Sequence, residues 1–574
     1  MTTETPGERA EYAASALAPE IDLLADPDVA GLGRSLAMVL TGALEHPADA
    51  AQAWFRYALR LAEIPSVALS SWMGTTATPP VQLDPKDRRF ADRTWSENPA
   101  FYALRMYHQA FAEFADQLVT AAGLGRIQET KARLLTGLMM DALAPTNFLA
   151  TNPAALRRAV ETGGASLIKG AGNFADDLLN NNGRPRQVDT STFTIGENLA
   201  ATPAKVVYRN DLMELLQYSA QTPQVRSAPL LCSPPWINKY YVMDLAPQRS
   251  FIEWAVQHER TVFAISYRNP PADMSGVTMD DYLLHGPRQA LEVIQQITKA
   301  DTVDIVGLCM GGALTAITDA YLSTTGLSGT GKGEIGNLTL LNTLLDYSEP
   351  GVLEAFTDTE AVRRLERKMA KEGHLAGETM AGTFDILRAN DLIFSYVVSN
   401  WLMGQDPPVF DILAWNADST RMPAAMHSFY LRNFYVENRL AREQLEIAGK
   451  VVKLSDVKRP TYIVGAENDH IVPWKSAYAT TRLLSGPVRY VLSSGGHIAG
   501  IVNPPGPKGW YLAGESHPES ADEWREHATR HDGSWWEDWA IWSAENSGPL
   551  VDPPPAGSRK YPVLYDGPGE YVHT

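Results

Sequence analysis

Cysteine is nearly absent: Cys232 and Cys309 are the only two in 574 residues. A disulfide framework is therefore excluded, a reducing cytoplasm is the natural setting, and a thiol there keeps its capacity as a nucleophile. Positive charge is also short. Lys and Arg number 49 against 67 Asp and Glu, a net of -18 with His neutral, and a surface of that sign repels nucleic acid and anionic membrane. No apolar run is long enough to span a bilayer. The stretch Met1–Pro27 has acidic residues and chain breakers where a secretory signal would have a basic run and an apolar stretch. The expectation is a chain with no nucleic-acid partner and no membrane span. What is plentiful is apolar material, 45% of residues, enough for a large core and, at this length, for more than one domain.

From about Leu32 to Ile168 the chain is rich in Ala and Leu at helical spacing, as in Ala50, Trp54, Tyr57 and Leu61 along one face. This predicts an all-helical domain over residues 1–190, closed by the Asn, Gly and Pro of Asn180–Arg186. Beyond it short apolar runs alternate with helical patterns: Pro229–Cys232, Thr261–Ser266, Val303–Leu308, Leu338–Leu341, Thr461–Val464 and Val488–Leu492. Strands separated by helices predict a mainly parallel, doubly covered sheet over residues 191–574. Between about 343 and 440 the strand rhythm lapses into aromatic helical segments such as Leu392–Leu402 and Ala425–Tyr435, read as an inserted helical lid or as further helical core. Trp535, Trp539 and Trp542 recur on one helix face and suit packing. The proline-rich Asp552–Ser558 reads as extended or loosely ordered.

The chemistry centres on Gly307-Leu308-Cys309-Met310-Gly311-Gly312, a buried strand feeding through a glycine-flanked turn into a helix. This is the nucleophile-elbow pattern of α/β-hydrolases with Cys in place of Ser. The helix that follows turns its positive end toward the sulfur and favours thiolate, although a Cys between glycines can also be a small packed hydrophobe. Downstream, Thr461–Ala466 leads to Asp469, and Val488–Leu492 leads through Ser493-Ser494-Gly495-Gly496 to His497. Nucleophile, acid, histidine is the chain order of that fold. His470 is the rival histidine, but His497 follows the last strand on a glycine-bearing loop that can swing over the elbow. An oxyanion needs amide donors. Met310, directly after the nucleophile, supplies one. Pro234 and Pro235 carry no N–H, so the other falls to Trp236 or Ile237. Cys232 suits packing. The triad chemistry requires no metal or cofactor.

With these residues in view, the chain resembles the polyhydroxyalkanoate synthases, the poly(3-hydroxyalkanoate) polymerases, of the single-subunit type. The resemblance runs from Asp87-Arg88-Arg89-Phe90, Trp95–Phe101 and Thr151-Asn152-Pro153 to Tyr571-Val572. Its most specific matches are Pro234–Tyr241 with Asp244-Leu245, then Tyr267-Arg268-Asn269-Pro270 and Gly307–Gly311. Further matches are Asn390-Asp391-Leu392, Phe410–Leu413 with Trp415-Asn416, Asp469–Trp474, Gly496-His497-Ile498 and Asn503-Pro504-Pro505. Two departures are Ala389, where proline is common, and the short Gly506–Gly509 segment. The resemblance implies an α/β-hydrolase catalytic domain with a lid, preceded by a helical domain. It implies polymerisation of (R)-3-hydroxyacyl-CoA into polyester through a thioester on Cys309, with His497 as base and Asp469 either supporting it or helping to activate the incoming hydroxyl. It also implies a homodimer in the cytoplasm at the surface of polyester granules, alongside granule-associated proteins. Arg268, Lys239, Trp415 and His470 are candidate substrate contacts. Gly404–Pro408 and Pro423-Ala424-Ala425 look like medium-chain synthases, whereas Trp236, Gly500 and Val502 look like short-chain ones, so acyl length stays open. The competing readings are a thioesterase or polyester depolymerase of the same fold, and a non-catalytic granule-surface protein.

Overall fold

The computed structural model describes residues 29–75, 77–326, 334–377 and 387–574. The chain forms two compact units. The first runs to Asp189 and takes in the later stretch ending at Val409, and the second comprises the rest of the described chain. The helical spacing of the amino-terminal region is realised in the first unit as α1 (Val29–Glu45), α2 (Pro47–Trp72), α3 (Pro99–Ala121), α4 (Arg126–Ala142) and α5 (Ala165–Asn180). Local chemistry starts α3: the Asn98 side chain accepts from the amides of Ala100 and Phe101, and Pro99 occupies the first turn, where its missing N–H costs nothing. Tyr57 of α2 stacks on Phe114 of α3, their rings 4.7 Å apart, above a core of Ile64, Ala68, Met106 and Ala110. The later stretch joins this unit on α5. A Cβ at Gly170 would lie 2.0 Å from the Trp401 carbonyl oxygen, while the Trp401 indole donates to Asp177 at 2.8 Å and Asn173 donates to the Asn400 carbonyl at 3.0 Å. Leu392–Leu402, which the sequence allows as lid or as further helical core, lies within the first unit.

The second unit is built on an eleven-stranded sheet. Its strands are β1 (Ala204–Arg209), β2 (Met213–Tyr218), β3 (Leu230–Ser233), β4 (Val262–Tyr267), β5 (Thr302–Leu308), β6 (Glu334–Leu341), β7 (Thr461–Ala466), β8 (Val488–Ser493), β9 (Trp510–Ala513), β10 (Thr529–Asp532) and β11 (Tyr565–Asp566). They lie side by side in the order β10-β9-β8-β7-β6-β5-β3-β4-β2-β1-β11. Strands β3 to β8 are the apolar runs seen in the sequence, and every pairing among them is parallel. The flanking strands pair antiparallel. β3, β4 and β7 are buried along their whole length, as expected of parallel strands covered on both faces. No described helix is long and apolar enough to cross a membrane.

The outer strands escaped sequence reading because they carry polar residues. β2 contains Glu214 and Gln217, both buried. Glu214 accepts from the Tyr565 hydroxyl and the amides of Glu570 and Tyr571. Gln217 donates to the Pro555 carbonyl and accepts from the Gly557 amide, so the proline-rich tail is extended and tied to the sheet.

Candidate active site

In open parallel sheets, ligands gather at the carboxyl ends of the strands, and the candidate residues fall there. Cys309 follows β5, Asp469 lies three residues beyond β7, and His497 lies four beyond β8. Cys309 has φ +53° and ψ -118°, a backbone conformation that side-chain-bearing residues rarely adopt and that concentrates at functional sites. The next residue opens α6 (Met310–Thr324), so the amide of Met310 lacks an intrahelical acceptor and the helix presents its positive end to the sulfur.

The glycines of the elbow are required by close approach. A Cβ on Gly311 would lie 2.1 Å from the Ser233 carbonyl oxygen, and one on Gly312 would lie 1.9 Å from the Thr343 hydroxyl. The elbow therefore rests directly on the backbone leaving β3, which continues through Pro234 and Pro235 to Trp236 and Ile237. Both of those are buried. The Trp236 carbonyl accepts from Thr420, its indole contacts the Met426 sulfur at 3.3 Å, and its ring packs on Tyr282.

Asp469 is positioned by its own turn: Oδ1 accepts from the amides of Ile471 and Val472 at 2.8 and 2.9 Å. Its other oxygen, Oδ2, lies 2.7 Å from Nδ1 of His497, and both side chains are fully buried. The histidine loop is held from three sides. Asn468 donates to the Gly495 carbonyl at 2.9 Å. From α7 (Trp535–Asn546), the indoles of Trp535 and Trp536 donate to the Gly500 and Ile501 carbonyls, each at 2.9 Å. The third side is Asn342, whose Nδ2 donates to the His497 carbonyl at 2.5 Å. Neither the indole contacts nor Asn342 stood out in the sequence. The tryptophan spacing signalled only packing, and the one cue to Asn342 is an Asn directly after an apolar strand, where Asn tolerates left-handed backbone.

The remaining candidates have other partners. Trp415 is fully buried, and its indole donates to the Lys239 carbonyl at 2.8 Å. The Lys239 ammonium donates to the Thr574 carbonyl, and burial lowers its pKa. The Arg268 guanidinium lies over the Tyr571 ring, 5.8 Å from its centroid. Lys239 and Arg268 are thus grouped with carboxyl-terminal residues. Asp244, of the matched Asp244-Leu245 pair, accepts from Thr202, Ser250 and Tyr218. His470 is half-buried in the Asp469 turn. Cys232 is buried, and burial pushes its thiol well above the ordinary range.

The family described as Poly-beta-hydroxybutyrate polymerase (PhaC) N-terminus matches residues 86–255, and the alpha/beta hydrolase fold family matches residues 213–504. A poly(3-hydroxyalkanoate) polymerase of Methylorubrum extorquens is 39% identical over 562 residues, covering 97% of this chain and 92% of that one. A poly(3-hydroxyalkanoate) polymerase subunit PhaC of Rhizobium meliloti is 42% identical, covering 89% and 83%. The protein of the same name from Cupriavidus necator is 39% identical, covering 85% and 83%.

Proposed function

The chain belongs to the poly(3-hydroxyalkanoate) polymerase family, and we propose that it polymerises (R)-3-hydroxyacyl groups from coenzyme A thioesters through a covalent thioester on Cys309. His497 takes the thiol proton on Nε2, since Asp469 holds Nδ1–H and so fixes the tautomer. The thiolate attacks the acyl carbonyl, and the oxyanion is met by the amide of Met310 and one from Trp236 or Ile237. The carbonyl re-forms as coenzyme A leaves with the proton from the imidazolium. The bond made is again a thioester, so the loaded enzyme is neither trapped nor driven uphill. A 3-hydroxyl then gives its proton to His497 and attacks the thioester; an ester forms and the Cys309 sulfur departs. Burial of the reacting groups, with Cys309 4% and His497 0% exposed, keeps water from competing with the hydroxyl. It also means that substrate reaches the sulfur only after the covering segments move. By family, the protein acts as a homodimer in the cytoplasm at the surface of polyester granules.

Polymerisation is favoured over hydrolysis because the likeness to named polymerases extends over 97% of the chain, well beyond the hydrolase-fold region. Purified protein given 3-hydroxybutyryl-CoA is expected to release free thiol and deposit insoluble polyester, and Cys309→Ala to lose both by at least about 10³-fold. Thiol release accompanied by free 3-hydroxy acid and no polymer would mark a hydrolase instead.

A further inference from the structure

Resting on this reading of the triad, we infer that Asn342 is a positioning residue that holds His497 over the nucleophile. The sheet order sets the problem. Cys309 leaves β5 and His497 leaves β8, with β6 and β7 between them, a lateral offset of about 14 Å at ~4.8 Å per strand. The His497 loop must therefore fold back across two strand ends. Asp469, beyond β7, fixes the imidazole ring but acts from the far side.

Asn342 is the first residue beyond β6, the strand next to that of Cys309. Its Nδ2 donates to the His497 carbonyl at 2.5 Å. Its own amide donates to the Val464 carbonyl of β7 at 2.8 Å, and the carbonyl just before it, Leu341, accepts from the Cys309 amide at 2.9 Å. A single fully buried residue thus bonds the histidine loop and the strand leading to the acid, and directly follows the residue whose carbonyl bonds the Cys309 amide. Its φ of +40° lies in the left-handed region, which Asn enters more readily than most residues.

A turn role alone does not account for the side chain. Glycine would take the same backbone conformation at less steric cost, and Oδ1 of Asn342 is buried without a hydrogen-bond partner among the described residues. A buried carbonyl left so is destabilising, and glycine would avoid it. What the carboxamide uniquely supplies is the donor to the His497 carbonyl.

The test compares Asn342→Gly, which keeps the backbone preference and removes the donor, with Asn342→Asp, which keeps shape and removes the donor, and with Cys309→Ala. The full-length proteins are assayed for kcat and KM with 3-hydroxybutyryl-CoA, for thermal midpoint, and for the pH dependence of iodoacetamide alkylation mapped to the Cys309 peptide. Loss of the donor is expected to lower kcat about 10²-fold with little change in KM or midpoint. It is also expected to move Cys309 alkylation to higher pH, because the imidazole no longer stabilises the thiolate. Wild-type kcat and an unmoved alkylation profile in folded Asn342→Gly would overturn the inference, as would unfolding of both variants, which would make Asn342 a stability residue. If Cys309→Ala still makes polymer, the triad reading falls and takes this inference with it. If Cys309→Ala is inactive while both Asn342 variants are normal, only the role of Asn342 falls.

Discussion

Asp244 shows how a buried group outside the proposed triad makes stability depend on pH. Burial is the larger influence and raises its carboxyl to about 6, against the pull of hydrogen bonds from Thr202, Ser250 and Tyr218. The folded pKa exceeds the unfolded value of about 3.9, so its contribution to stability is complete below that value and is lost as pH rises through about 6. Asn at 244 stays neutral throughout and retains an acceptor for Thr202 and Ser250. The thermal midpoint of Asp244→Asn relative to wild type is therefore expected to climb between pH 4 and pH 7, by the equivalent of at most about 3 kcal/mol; a flat difference would remove Asp244 from the account. Cys309, Asp469 and His497 stand out in the sequence as candidates because each sits beside glycine or polar residues at the end of an apolar run. Asn342 does not. Its role depends on which strands become neighbours, and nothing in Leu341-Asn342-Thr343 reports that β6 lies between β5 and β7.

Among the elements, the elbow and α6 give the sharpest expectation. A methyl group on Gly311 would fall 2.1 Å from the Ser233 carbonyl oxygen, backbone that cannot rotate away, so the segment carrying Trp236 and Ile237 must shift. Gly311→Ala should cost about 1–3 kcal/mol of stability and about 10²-fold in kcat, since the proposed oxyanion donor is displaced. Calorimetry and steady-state rates measure the two effects separately, and a fully active Gly311→Ala enzyme would mean that the β3 loop takes no part. The parallel strands were readable because burial on both faces demands continuous apolar runs, as in Val262–Tyr267. β10, Thr529–Asp532, is exposed along its length. Its place in the sheet comes from pairing with β9, and no hydrophobic pattern announces it.

Over the molecule as a whole, the first unit pauses at Asp189, shortly after the Asn180–Arg186 stretch, and the later stretch ending at Val409 returns to it with no mark in composition. That return is made by contacts such as Gly170 on the Trp401 backbone, which depend on shape and leave no periodic trace. The second unit is closed by one buried ion pair joining distant parts of the chain. Arg260, 1% exposed, bonds Asp304 at 2.6 Å, the Ala228 carbonyl at 3.1 Å and Ser547 at 2.8 Å. Removing one partner strands the other charge, so Arg260→Ala is expected to lose about 3–5 kcal/mol, read as a lowered denaturation midpoint. Replacing both, as in Arg260→Met with Asp304→Leu, should recover much of it; a single variant as stable as wild type would show that the pair closes nothing.

Glu214 carries a consequence for the order in which this protein is made. Its three donors come from Tyr565, Glu570 and Tyr571, more than 350 residues later in the chain. At about 5–20 residues per second of synthesis, that carboxylate emerges from the ribosome tens of seconds before these three donors do, with only the Arg209 guanidinium, 3.8 Å away, made earlier. Until then, the edge of β1 that will receive β11 stands open. A nascent chain stalled near residue 550 would thus expose an unpaired strand edge, the kind of surface that chaperones bind and that aggregation begins from.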